Sequence, residues 1–117
     1  METARANSED LNQCIAACFE ALRACHACAA ADIREGASAQ CALINLDCAA
    51  ACEAAIQVML RNSPHHGDFC ALCAHLCTVC AAACAKHAST HDHCARCQQA
   101  CEACAQECRK HAPEKHD

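Results

Sequence analysis

Cysteine occupies 17 of 117 positions, and in the second half of the chain it recurs at alternating steps of three and four: Cys70, Cys73, Cys77, Cys80, Cys84, then Cys94, Cys97, Cys101, Cys104, Cys108. Residues three and four apart share one face of an α-helix, so each run is a stripe of thiols aimed where a helical bundle keeps its core. The first half carries the same stripe with gaps. Leu11, Cys14, Cys18, Leu22, Cys25 and Cys28 lie along one face, and Cys41, Ile44 or Asn45, Cys48, Cys52, Ala55 and Met59 along another. All 17 thiols can therefore point into one interior.

The residues that usually fill a core are scarce. Leu, Ile, Val, Met and Phe together supply 17 positions, whereas alanine alone supplies 30. Alanine has the best helix propensity and lets helices approach closely, while two glycines, two prolines and 2% aromatics leave little for strands. The chain reads as all-α.

Punctuation marks four helices. The first starts after Ser8, with Glu9 and Asp10 in its first turn, and ends near Arg34 with Gly36 as left-handed terminator. The second starts after Ser38 and runs to about Asn62. Ser63 and Pro64 then serve as cap and first residue of the third, with Asp68 behind Gly67 a competing cap, and this helix reaches about Ala88. Ser89 followed by Asp92 resembles a capping box for the fourth, which closes on Arg109, Lys110 and His111 before Pro113. Short connections between such helices force antiparallel neighbours, predicting an up-down-up-down four-helix bundle with a cysteine-lined core. Residues 1–117 make one domain, with 1–7 and 113–117 expected to be loose. A cysteine-striped hairpin occurs in each half, a weak internal repeat.

Charge and location narrow the partners. The net charge is −5 and the cations are scattered, so the basic stripe and stacking aromatics of a nucleic-acid binder are missing. Met1 to Asp10 holds no apolar stretch of the signal-peptide kind, and no run of 18 apolar residues occurs, which predicts a cytoplasmic protein without a membrane partner. In the reducing cytosol, abundant cysteine points to metal binding before a disulfide framework.

Seventeen thiols on stripes exceed any packing need, because alanine or valine fills space without oxidation risk. Zinc wants four ligands converging tetrahedrally, whereas stripes on straight helices give rows of Cys-x-x-Cys and Cys-x-x-x-Cys pairs. Such rows suit a soft univalent ion that accepts two or three thiolates, namely Cu(I), and one Cu(I) per thiolate neutralises the interior where tetrathiolate zinc leaves two negative charges per site. The expected load is roughly 8 to 17 copper ions per chain. The predicted ligands are Cys14, Cys18, Cys25, Cys28, Cys41, Cys48, Cys52, Cys70, Cys73, Cys77, Cys80, Cys84, Cys94, Cys97, Cys101, Cys104 and Cys108. A general soft-metal or zinc thiolate buffer is the alternative. A thiol redox enzyme comes third, since its Cys-x-x-Cys would open a helix after a strand rather than sit mid-helix, and the chain is read as no enzyme. Iron–sulfur ligation needs loops that wrap a cluster.

One further step along the stripes reaches His87, His91, His66, His111 and Met59. In an antiparallel bundle His87 and His91 gather at one end with Cys28, Asp32 and Cys41, as candidate mouth ligands. His66, His111 and Met59 gather at the other. His26, His65, His75 and His116 fall off the stripes.

The two Cys-x-x-Cys-x-x-x-Cys-x-x-Cys-x-x-x-Cys runs, at 70–84 and 94–108, together with the paired striped hairpins, resemble the cytosolic branch of the bacterial copper storage proteins. The resemblance spans nearly the whole chain. It implies a homotetramer of four-helix bundles, Cu(I) bound by inward cysteines, and an entrance at one bundle end. A copper chaperone or chelator is a candidate exchange partner. Exported members have methionine-lined mouths, which this chain lacks.

Overall fold

The computed structural model describes residues 8–113. It contains α1 (Ser8–Glu35), α2 (Ala39–Leu60), α3 (His66–Ala85) and α4 (Asp92–Arg109). Helices consecutive in the chain pack on one another, and α4 closes the ring against α1, as an up-down-up-down bundle requires. The described residues include no strand.

The helix ends show where local chemistry acted as expected and where it did not. Gly36 terminates α1 at φ +63°, the left-handed conformation that costs an L side chain most. Ser38 caps α2, its Oγ accepting from the Cys41 N–H at 3.0 Å. The third and fourth starts differ from expectation. Ser63 accepts from the His65 N–H rather than opening the helix, so neither Ser63 with Pro64 nor Asp68 caps α3, which begins at His66 with His65 at the cap position. Ser89 likewise lies in a turn, and His91 stands at the cap of α4 without a side-chain bond. The α3–α4 connection is a run of turns over 86–90, in which His87 and His91 backbones bond one another, and this run ends α3 three residues early.

Pro113, expected to be loose, belongs to the bundle. Gly67 faces the His111 carbonyl and the Pro113 ring so closely that a Cβ there would lie 2.9 Å from the oxygen and 3.2 Å from Cδ. The remaining expected loose residues, 1–7 and 114–117, lie outside the described ones, as does His116.

Three helices, Glu9–Glu35, Ala39–Leu60 and His66–Ala85, are long and apolar enough to cross a membrane by length and composition, with mean hydropathies of 1.4, 1.5 and 1.7. This corrects the expectation drawn from uninterrupted apolar runs. Cysteine and alanine raise the average although single polar residues break every run, and here the cysteines of those helices all face the bundle interior.

Candidate metal site

Every one of the 17 cysteines is buried and free of disulfide, and 16 of them are wholly inaccessible. Their sulfurs form a ladder along the bundle axis. Near the N-terminus of α1, Cys14 and Cys18 each lie 3.7 Å from Cys108, and Cys104 is 3.6 Å from Cys18. The ladder continues through Cys73, 3.8 Å from Cys104 and 3.7 Å from Cys52, to Cys77, which stands 3.5 Å from Cys48. Cys101 then joins Cys48 (3.9 Å) to Cys25 (3.6 Å), and Cys25 reaches Cys80 and Cys97 at 3.9 Å each. With metal–sulfur bonds of about 2.3 Å, sulfurs around a three-coordinate ion stand about 4.0 Å apart, so these contacts have the spacing of ligands.

Four stripes facing one another also do what one stripe cannot. Cys18, Cys73, Cys104 and Cys108 lie within 4.8 Å of one another, as do Cys25, Cys80, Cys97 and Cys101, and Cys52, Cys73, Cys77 and Cys104. Rows along a single helix suggested that four sulfurs would not converge, yet rows from different helices bring them together. The groups share members, Cys73 and Cys104 above all, so neighbouring ions would be bridged by common thiolates.

Asn45 interrupts the ladder. It takes the α2 stripe position between Cys41 and Cys48 and is fully buried, while Ile44 is only partly so. Its Oδ1 accepts from Cys80 at 3.0 Å, Cys84 at 3.6 Å and Cys97 at 3.7 Å, and its Nδ2 has no partner. Beyond it lies a second group, in which Cys28 stands 3.9 Å from Cys94.

That end is polar. His87 and His91 have ring centroids 6.4 Å apart, and His91 and His93 5.3 Å. His93 was not among the expected ligands, although stepping four residues back from Cys97 reaches it. Its Nδ1 lies 3.4 Å from Cys28 Sγ and 3.6 Å from Cys94 Sγ. Burial alone would depress its basicity, but Cys28, Asp32 and Glu35 outweigh that and raise it. Asp32 is buried, and burial followed by the charge of Cys28 holds its carboxyl above the usual range. Desolvation pushes the thiols of Cys41 and Cys94 up to about 12. Metal must therefore displace protons here.

The opposite end is closed with apolar groups. Leu11 and Met59 are buried, and Cys70 Sγ lies 3.8 Å from Met59 Sδ and within 4.8 Å of Cys14 and Cys108 sulfurs. His66 and His111 meet with centroids 6.0 Å apart, but His66 Nδ1 is engaged by the Ser63 carbonyl at 2.9 Å. His26, His65 and His75 are exposed.

A cysteine ladder enclosed by four helices defines a class of metal-sequestering bundle, and the comparisons specify it. Residues 7–113 match the family model described as Csp, copper storage protein. The chain belongs to the copper storage protein family. It is similar to an uncharacterized cysteine-rich protein of Bacillus subtilis (strain 168), YhjQ, with 37% identity over 83 residues, 68% of this chain and 75% of that protein. Among solved structures it is similar to the Cu(I)-bound copper storage protein BsCsp3, at 34% identity and a TM-score of 0.83, covering 89% of this chain and 99% of that one. A cytosolic copper storage protein from Streptomyces lividans, solved with five coppers, matches at 32% identity and a TM-score of 0.83 over 88% of this chain and 92% of that one.

Proposed function

We propose that this protein stores Cu(I) in the cytosol, holding many ions per chain on the thiolates of its 17 inward cysteines, and that it acts as one domain, not as an enzyme and without a membrane partner. The shared four-sulfur groups carry this reading. Ions bridged by common thiolates need little charge each, and a univalent ion balances one thiolate where a divalent ion in the same cluster leaves the interior unbalanced. Copper enters at the polar end, where His87, His91 and His93 offer ligands softer than water ahead of Cys28, Cys41, Cys84 and Cys94. The tetramer implied by the family resemblance is supported by exposed apolar side chains on the bundle surface, among them Phe19, Leu43, Leu60 and Leu72. A chaperone or small chelator would exchange copper at the same mouth.

Titration of the reduced protein with Cu(I) against a competing chelator, without oxygen, tests the proposal. Roughly 8 to 17 tight equivalents are expected. In the double variant Cys73→Ser/Cys104→Ser, which touches two overlapping groups, several equivalents should vanish together, whereas Cys41→Ser should remove no more than one. A capacity of one or two ions would overturn storage.

The convergence of four sulfurs favours one second reading, a zinc buffer. Zinc that displaces bound Cu(I) at equal concentration would establish it.

A further inference from the structure

At the polar end two imidazoles converge on one carboxylate. His91 Nδ1 lies 3.8 Å and His93 Nε2 3.6 Å from the same oxygen of Glu35, and His93 Nε2 lies 3.8 Å from Asp32 Oδ1. These separations are too long for hydrogen bonds, and His93 Nε2 is a buried nitrogen with no hydrogen-bond partner. They are close to the spacing of ligands around an ion. With metal–nitrogen and metal–oxygen bonds of about 2.0 to 2.2 Å, two ligands of a tetrahedral site stand about 3.3 to 3.6 Å apart. The two imidazole–carboxylate separations exceed that range by at most a few tenths of an ångström, and the two rings stand with centroids 5.3 Å apart.

The donors are nitrogen and oxygen, which suit a borderline divalent ion better than univalent copper. Glu35 is the last residue of α1, His91 the cap of α4 and His93 its second residue, so the three come from two helix ends that the bundle brings together. His93 faces both ways. Its Nδ1 addresses the sulfurs of Cys28 and Cys94, which leaves Nε2 for the outer side. A groove between α1 and α4, lined by Ala27, Ala31, Thr90 and Arg96, runs past Glu35, His91 and His93 to solvent and gives an ion access without crossing the thiols.

We propose that Glu35, His91 and His93 form a divalent-cation site of the zinc type just outside the thiol interior, with water in the fourth position and Asp32 beside it. This goes beyond copper storage, because it names a different ion held by different donors. An ion there joins the end of α1 to the start of α4 above Cys28 and Cys94, and so competes with incoming Cu(I) for the mouth histidines.

The test fills the protein with Cu(I) first, so that the thiols are taken, and then titrates cobalt(II) as the probe. The filled protein should bind one cobalt with the visible bands of a tetrahedral nitrogen and oxygen site and no sulfur-to-cobalt charge-transfer band, and zinc should displace it. Glu35→Gln should weaken cobalt binding about tenfold or more while leaving the Cu(I) capacity, measured beforehand in the same sample, unchanged. No cobalt uptake, a dominant sulfur band, or unaltered affinity in Glu35→Gln would each overturn the site. A protein that fails to fill with copper would sink the storage reading instead, and the difference in the nitrogen and oxygen bands between the empty native protein and empty Glu35→Gln would then decide the cobalt site separately.

Discussion

The two ends of the bundle are built from the same material, helix termini with histidines just past the last cysteine, yet they finish the interior in opposite ways. At one end Leu11 and Met59 are buried against Cys14 and Cys70, His66 is occupied by a backbone carbonyl, and Pro113 lies over Gly67. At the other, a buried carboxylate and three histidines stand around Cys28, Cys41 and Cys94. The first end offers a cation a thioether and the one unpartnered imidazole nitrogen of His111 behind apolar groups, whereas the second offers several imidazoles beside a carboxylate. The same stripe rule, extended by one step in each direction, thus produces a closed end and a receptive one.

The sharpest way to break this contrast is kinetic. Replacing His87 and His91 together by alanine should slow Cu(I) uptake about tenfold or more, as loss of positioned ligands does elsewhere, while the pair His66→Ala/His111→Ala should load at the native rate. Equal rates in both would remove the distinction between the ends. Next in size, Gly67→Ala places a methyl against backbone at the closed end and should cost about 1 to 3 kcal/mol, read as a lowered thermal midpoint of the empty protein. Gly36→Ala, with open space around it but a left-handed backbone, should cost about 1 kcal/mol.

A pH series sharpens the polar end. Cys41 and Cys94 have folded-state values raised from 9.0 to about 12, so the neutral thiols are favoured by folding. Their contribution is fully present below pH 9 and is lost as pH climbs through about 12. Helical circular dichroism of the empty protein should fall along this alkaline limb, and Cys41→Ser or Cys94→Ser should flatten it. An equally steep limb in both variants would contradict the assignment. The smallest effect is expected from Met59→Leu, a volume-conserving change that should cost under about 1.5 kcal/mol and leave copper capacity intact if Met59 only fills space.

Much of this was legible in the sequence because one periodicity governs both fold and site. Steps of three and four placed every cysteine inside and set the helix order, and Gly36 and Ser38 marked the first turn by chemistry strong enough to act alone. The misses have physical causes. Ser63 and Ser89 fit capping patterns, but Ser63 is taken up by backbone bonds of its turn, and Ser89 lies in a turn that the Thr90 and His91 N–H groups close on the His87 carbonyl before α4 begins. His93 escaped because the stripe was extended back from Cys94 by three, to His91, rather than from Cys97 by four, and its shorter contact is across helices, with Cys28 of α1. The four-sulfur groups were invisible for the same reason, since no single stripe contains one.

The spacing of the ladder has a cost when it is empty. Sulfurs from different helices wait 3.5 to 4.0 Å apart, so that an approach of about 1.5 to 2 Å would reach the about 2.05 Å bond that peroxide would let them form. Such welding would staple the bundle and destroy sites two at a time. Cargo occupies the lone pairs with which a thiolate attacks an oxidant, so the filled vessel is its own preservative, and the interval between synthesis and first loading is when the protein stands most exposed to damage.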